Sequence, residues 1–166
     1  IGLPLDLPAF ASAKYRAYLG RMSELQWRPA AREAVEAARA SGCGVAVVTN
    51  SDRMLLDASL RQLGWVWPDQ VSVSRNDVRC GKPDPEPYLR AAWLMGVSPA
   101  QCVVVEDSAA GALSGLRAGM RVLAWPEVSQ ASEFPVGAHV LREPTIWPAL
   151  KSAIQSISFP LEGLSP

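Results

Sequence analysis

Cys102-Val103-Val104-Val105-Glu106-Asp107-Ser108-Ala109-Ala110-Gly111 is the stretch that decides the fold of this chain. A short continuous apolar run rich in β-branched residues reads as a strand buried on both faces, the kind found in parallel sheets covered by helices. Two carboxylates and a serine then close the strand, and Ala109 to Ala118 continues as a helix. Strand, polar turn and helix in that order form one half of a crossover unit.

Working outward, the same unit recurs. Pro29 to Ala40 reads as a helix that starts on a proline and ends near Gly42. Gly44 to Thr49 is a second apolar strand, and Asp52 or Arg53 to Leu63 is a helix stopped by Gly64. Val71 to Ser74 is a strand. Pro85 to Met95 is a helix preceded by Asp84 and ended by Gly96, and Ser98-Pro99-Ala100-Gln101 has the form of a capping box. Arg121 to Ala124 and Ala138 to Leu141 complete the strands. Strands and helices alternating at this rhythm predict an α/β fold with a parallel sheet and right-handed crossovers.

The ends read differently. Pro4 and Pro8 exclude a regular central strand at the start, and Ala9 to Met22 reads as a helix with Tyr15, Tyr18 and Leu19 as its apolar stripe. Residues past Leu150 include Pro160, Gly163 and Pro166 and read as a loosely attached tail. The expected division is therefore 1–26, a core over 27–150, and a tail over 151–166.

Composition narrows the function. Of 166 residues, 49% are apolar, enough for a core without metal or disulfide staples. Sixteen Lys and Arg balance sixteen Asp and Glu, so no net field recruits nucleic acid or anionic lipid. No apolar run reaches the roughly 20 residues of a membrane helix, and the start lacks the pattern of a signal peptide. The expectations are no nucleic acid, no membrane and a cytoplasmic location. Cys43, Cys80 and Cys102 lack the spacing of a zinc or dithiol site. The single histidine, His139, falls in a strand and reads as half-buried, so catalysis here must run on carboxylates, lysine and hydroxyls.

Open parallel sheets bind ligands beyond the carboxyl ends of their strands. Three polar clusters fall there: Thr49-Asn50-Ser51, Gly81-Lys82-Pro83-Asp84-Pro85, and Glu106-Asp107-Ser108. Each alone is an ordinary cap or turn. Their joint order predicts a hydroxyl, a lysine and a carboxylate pair converging on one crevice.

Val-Val-Thr49-Asn50-Ser51, Gly81-Lys82-Pro83-Asp84-Pro85-Glu86-Pro87-Tyr88 and Val-Glu106-Asp107-Ser108-Ala-Ala-Gly111 resemble the second, third and fourth motifs of haloacid dehalogenase (HAD) hydrolases. The wording is most similar to the branch with β-phosphoglucomutase and phosphoglycolate phosphatase, over roughly residues 27–126. The resemblance implies a Rossmann-like three-layer α/β/α sandwich with a parallel sheet, plus the remnant of a helical cap. It implies a phosphatase or phosphomutase acting on a small phosphorylated metabolite. Thr49 and the Asn50 backbone would bind phosphate, Lys82 would offset charge, and Asp107, with Glu106 in or just outside its coordination shell, would hold Mg²⁺. Gly111 would let its helix pack closely on the sheet.

The family's first motif, a strand ending in Asp-x-Asp, does not occur in residues 1–166. Its first aspartate is the nucleophile and its second the acid and base. Asp6 is the sole early candidate, with Pro8 where the second aspartate belongs, so no nucleophile is assigned. The resemblance then implies that the nucleophile strand precedes residue 1 in the natural protein, and that residues 1–26 end a cap inserted after it. The chain alone is expected to be inactive. A catalytically inactive HAD-like module that binds a partner or phosphorylated ligand is the alternative. A receiver-type domain fits less well, because its acidic pair comes early, and a nucleotide-binding domain would need a glycine-rich first turn. Substrate identity and oligomeric state are not set by the sequence.

Overall fold

The computed structural model describes residues 6–65, 67–126, 134–142 and 145–157. The expected proline-broken start over 1–5 and the last part of the expected tail, 158–166, lie outside them. Helix α1 (Leu7–Gly20) is capped by the Asp6 carboxylate, which accepts from the Ala9 N–H at 3.0 Å. Then follow α2 (Pro29–Ala40), β1 (Ala46–Val48), α3 (Arg53–Gln62), β2 (Val71–Val73) and α4 (Glu86–Leu94). The series continues with β3 (Val103–Glu106), α5 (Ala109–Arg117), β4 (Arg121–Ala124), β5 (His139–Val140) and α6 (Trp147–Ile157). The Ser98–Gln101 capping box is formed, both side chains meeting the opposite backbone.

All strand pairs are parallel, as continuous apolar strands joined by helices require. The strands form two half-sheets, β1–β2 and β3–β4–β5, with no pairing between β1 and β3. Helices cover both faces. On one side, Ala34 of α2 packs with Leu150 and Ala153 of α6 over Leu123, while Val35 of α2 joins Leu56 and Leu60 of α3 over Val45 and Val47. On the other, Tyr88 and Ala92 of α4 and Ala112 of α5 pack over Val48, Val104 and Val122. The layers are α/β/α, and α2 and α4 each bridge the two half-sheets.

Between β1 and β3 runs a groove of about 510 Å³, lined by Val45, Ala46 and Val48 on one bank and Val103, Val104 and Val105 on the other. Trp65 lies at its side with its indole N–H buried and without a partner among the described residues.

Three expectations change. Residues 151–157 are not tail: α6 runs on from Trp147, and Ala153, 7% exposed, is part of the core. The reason is helical spacing, since Leu150, Ala153 and Ile154 share one face that packs on α2. The apolar stripe of α1 is not buried. Tyr18 and Leu19 are exposed, and α1 meets α3 through polar contacts, Tyr15 Oη to Asp52 at 2.5 Å and Tyr18 Oη with Ser59 at 3.0 Å. His139 is a strand residue but exposed, because β5 is a two-residue edge.

Candidate active site

Val48 ends β1, and Thr49 follows with its backbone N–H donating to the Val73 carbonyl at 2.9 Å. Its side-chain oxygen accepts from the Ser51 N–H at 3.1 Å, which holds the hydroxyl at the strand's carboxyl end. Asn50 then clasps the lysine loop. Its side chain accepts from the Lys82 N–H at 2.9 Å and donates to the Lys82 carbonyl at 3.0 Å. Gly81 is required by this clasp, since a Cβ there would lie 2.6 Å from the Asn50 side-chain oxygen. Glu86 holds the same loop from below, accepting from the Arg79 and Cys80 N–H groups at 3.0 and 2.8 Å. Those backbone donors keep its carboxyl below the usual carboxylate range.

The loop delivers Lys82 into the sheet. Its side chain is 10% exposed, and Nζ donates to the Val48 carbonyl at 2.9 Å and to the Glu106 carboxylate. An ammonium has three N–H donors, so one remains for a ligand. Glu106, at the end of β3, is also buried and accepts from the Tyr88 and Ser108 hydroxyls. Burial, then the Glu106 charge, push the Tyr88 phenol upward, so it stays a donor.

Gly111 has a role other than helix packing. A Cβ there would fall 2.0 Å from the Glu106 carboxyl carbon. The first turn of α5 must be bare because this carboxylate lies against it.

Asp107, one residue on, is exposed. Thr49, Asn50, Lys82, Glu106 and Asp107 all line one cavity of about 480 Å³, together with Ser108, Arg28 and Trp125. The convergence comes from a shared cause: each of the three loops leaves the sheet or enters a helix at the same rim. Asp6 is not among the lining residues; it caps α1. Tyr88, Ser108 and Arg28 were not assigned a site role from sequence. Tyr88 was within reach of one, since a tyrosine six residues after a site lysine, in the first turn of a buried helix, needs an acceptor for its hydroxyl. Arg28 is far in sequence from every motif and had no such signal.

A metal site can be tested against these residues. Among the described residues no three His, Cys, Asp or Glu side chains come together as a metal cage. Glu106 is committed to Lys82, Tyr88 and Ser108, whereas Asp107 offers a free-standing carboxylate in the cavity. Magnesium keeps several waters and is often held by one or two carboxylates with substrate phosphate, so Asp107 fits as one ligand. The described residues include no helix long and apolar enough to cross a membrane.

A parallel α/β/α core with a threonine, a lysine and a carboxylate at one rim defines the class. The family model described as "Hydrolase: haloacid dehalogenase-like hydrolase" matches residues 4–119, and the chain belongs to that family. The chain is 43% identical over 84 residues to hexitol phosphatase A of Escherichia coli, covering 51% of this chain and 38% of that protein. It is 30% identical over 137 residues to the bifunctional riboflavin kinase/FMN phosphatase of Arabidopsis thaliana, covering 82% of this chain and 36% of that protein. It thus spans little more than a third of the length of either relative. A HAD family hydrolase of Deinococcus radiodurans, solved with bound phosphate and sodium, superposes with a TM-score of 0.71 at 28% identity, over 95% of this chain and 70% of that one.

Proposed function

We propose that this protein is a Mg²⁺-dependent phosphatase or phosphomutase of a small phosphorylated metabolite. The observation that carries the reading is the meeting of Thr49, Lys82 and Asp107 in one cavity. The Thr49 hydroxyl and the Asn50 N–H would hold phosphate oxygens. Lys82, braced by Val48 and Glu106, would set a fixed positive charge against the phosphoryl group. Asp107 would hold Mg²⁺, with Glu106 just behind it; the ion would neutralise charge on the phosphoryl oxygens. Residues 1–26 would be the end of a cap and residue 27 onward the core.

The nucleophile would come from a strand outside residues 1–166, seated in the groove between β1 and β3. Support for this is physical. Unpaired strand edges inside a domain are costly, Val105 is 40% exposed between the buried Val104 and Glu106, and the Trp65 N–H at the groove lacks an acceptor among the described residues.

The test is hydrolysis of p-nitrophenyl phosphate. Residues 1–166 alone should be no faster than the Lys82→Ala/Asp107→Ala control. A protein that also carries an Asp-x-Asp strand should turn over with Mg²⁺, and Asp107→Ala should abolish that turnover. Phosphate binding without turnover in either form would favour a non-catalytic binding module instead. Turnover by residues 1–166 that vanished in Asp6→Asn would make Asp6 the nucleophile and overturn the groove proposal.

A further inference from the structure

Arg28 stands immediately before Pro29, the first residue of α2, and the motifs do not account for it. Its guanidinium carbon lies over the indole of Trp125, 3.5 Å from the ring centroid, and one N–H donates to the Trp125 carbonyl at 3.3 Å. Trp125 itself is 6% exposed, so the platform beneath the guanidinium is fixed. The two arginines within α2 are each paired with a carboxylate, Arg32 with Glu36 and Arg39 with Asp69. No carboxylate among the described residues pairs with Arg28. Instead it lines the cavity that holds Thr49, Lys82 and Asp107.

We propose that Arg28 is a specificity-determining residue, which selects substrates bearing a second oxyanion besides the phosphate held at Thr49 and Lys82. A guanidinium has five N–H donors in a rigid fork that suits a carboxylate or phosphate, and one backbone carbonyl uses only part of that fork. The contact with the Trp125 ring and the hydrogen bond to its carbonyl hold the guanidinium in place before a ligand arrives, which lowers the entropy lost on binding. Lys82 and Arg28 thus form a two-point cationic clamp, one point buried and one held at the wall. The inference rests on the reading of Thr49, Asn50 and Lys82 as a phosphate site.

The test is calorimetric titration of the protein with phosphonates of graded length. Phosphonoacetate, 3-phosphonopropionate and 4-phosphonobutyrate carry a terminal carboxylate; ethyl-, propyl- and butylphosphonate do not; methylene-, ethylene- and propylenebisphosphonate carry a second phosphonate. At the length that spans the clamp, a second anion should tighten binding by on the order of tenfold over the alkyl counterpart, the effect of one charge-assisted contact. Arg28→Gln should erase that advantage and leave the alkylphosphonate affinity unchanged. Arg28→Lys keeps the charge but loses the fork and should retain part of it, which also separates recognition from any effect on folding. The carboxylate and bisphosphonate series tell which oxyanion fits. No advantage at any length, or an advantage that survives Arg28→Gln, overturns the inference while leaving the phosphate site standing. Failure of every phosphonate, ethylphosphonate included, overturns the phosphate site and the inference with it.

Discussion

Strand β4 and the facing edges of β1 and β3 are built from the same kind of residue and end in different environments. In β4, paired on both sides, Val122, Leu123 and Ala124 are 0–3% exposed. In β1 all three residues are only partly buried, and Val105 of β3 is 40% exposed. Apolar sequence therefore does not by itself bury a strand residue; what lies against it does, since Val73 of β2, a strand paired on one side, is 0% exposed while Val105 opens on the groove. What β1 and β3 share is the groove between them, and across its rim a polar bridge, Lys82 to the Val48 carbonyl on one side and to Glu106 on the other.

The largest expected effect comes from cutting that bridge. Glu106→Ala leaves the Lys82 ammonium buried without its counter-charge and Tyr88 without its acceptor. The loss should be about 3–5 kcal/mol, as for a buried pair broken on one side, read as a shift of the urea midpoint. A loss below about 1 kcal/mol, the scale of exposed pairs, would mean the bridge is solvated. Gly111→Ala attacks the same bridge by crowding and should cost about 1–3 kcal/mol by the same measurement. Full stability in that variant would show that the Glu106 carboxylate has another place to go.

The comparison between strands can be tested directly. Val122→Ala should cost about 2 kcal/mol, from two buried methyl groups and the space they leave. Val105→Ala should cost under about 0.5 kcal/mol, as exposed substitutions do. In a protein carrying the additional strand proposed for the groove, the Val105→Ala cost should rise toward that of Val122→Ala. An unchanged cost would place that strand elsewhere.

The smallest effect concerns the loop under Lys82. Glu86 has a lowered folded-state pKa, caused by the Arg79 and Cys80 N–H groups, so its contribution is complete above the unfolded carboxyl pKa. It is lost as pH falls through the lower folded value. Glu86→Gln should therefore lower stability slightly at neutral pH, leave it unchanged in strong acid, and so flatten the acid limb between them. An acid limb identical to that of the unmodified protein would refute the assignment.

Much of this was legible in sequence because local pattern and local chemistry carry it. Continuous apolar runs separated by capped helices marked out the strands and helices, α2 being bounded as read, and parallel pairing follows from crossover helices. Thr49, Lys82 and Asp107 could be placed at one rim because each sits where a loop meets an element end. Helix α6 is absent from the sequence reading altogether, obscured by Pro160 and Gly163, which lie after it, although its apolar spacing is present in the sequence.

What the sequence by itself determined is thus the order of elements as far as β5, the parallel sheet and the residues offered to the site. Only the tertiary structure decided that Glu106 is the buried partner of Lys82 and Tyr88 while Asp107 stands exposed, since adjacent residues at a strand's end point opposite ways and either could have turned inward. It alone brought Arg28 onto Trp125, ninety-seven positions away, and left β1 and β3 as the two banks of one groove. The physical reason is common to all three. Spacing along the chain sets which face a side chain takes, but which partner waits at that face depends on how separate elements pack.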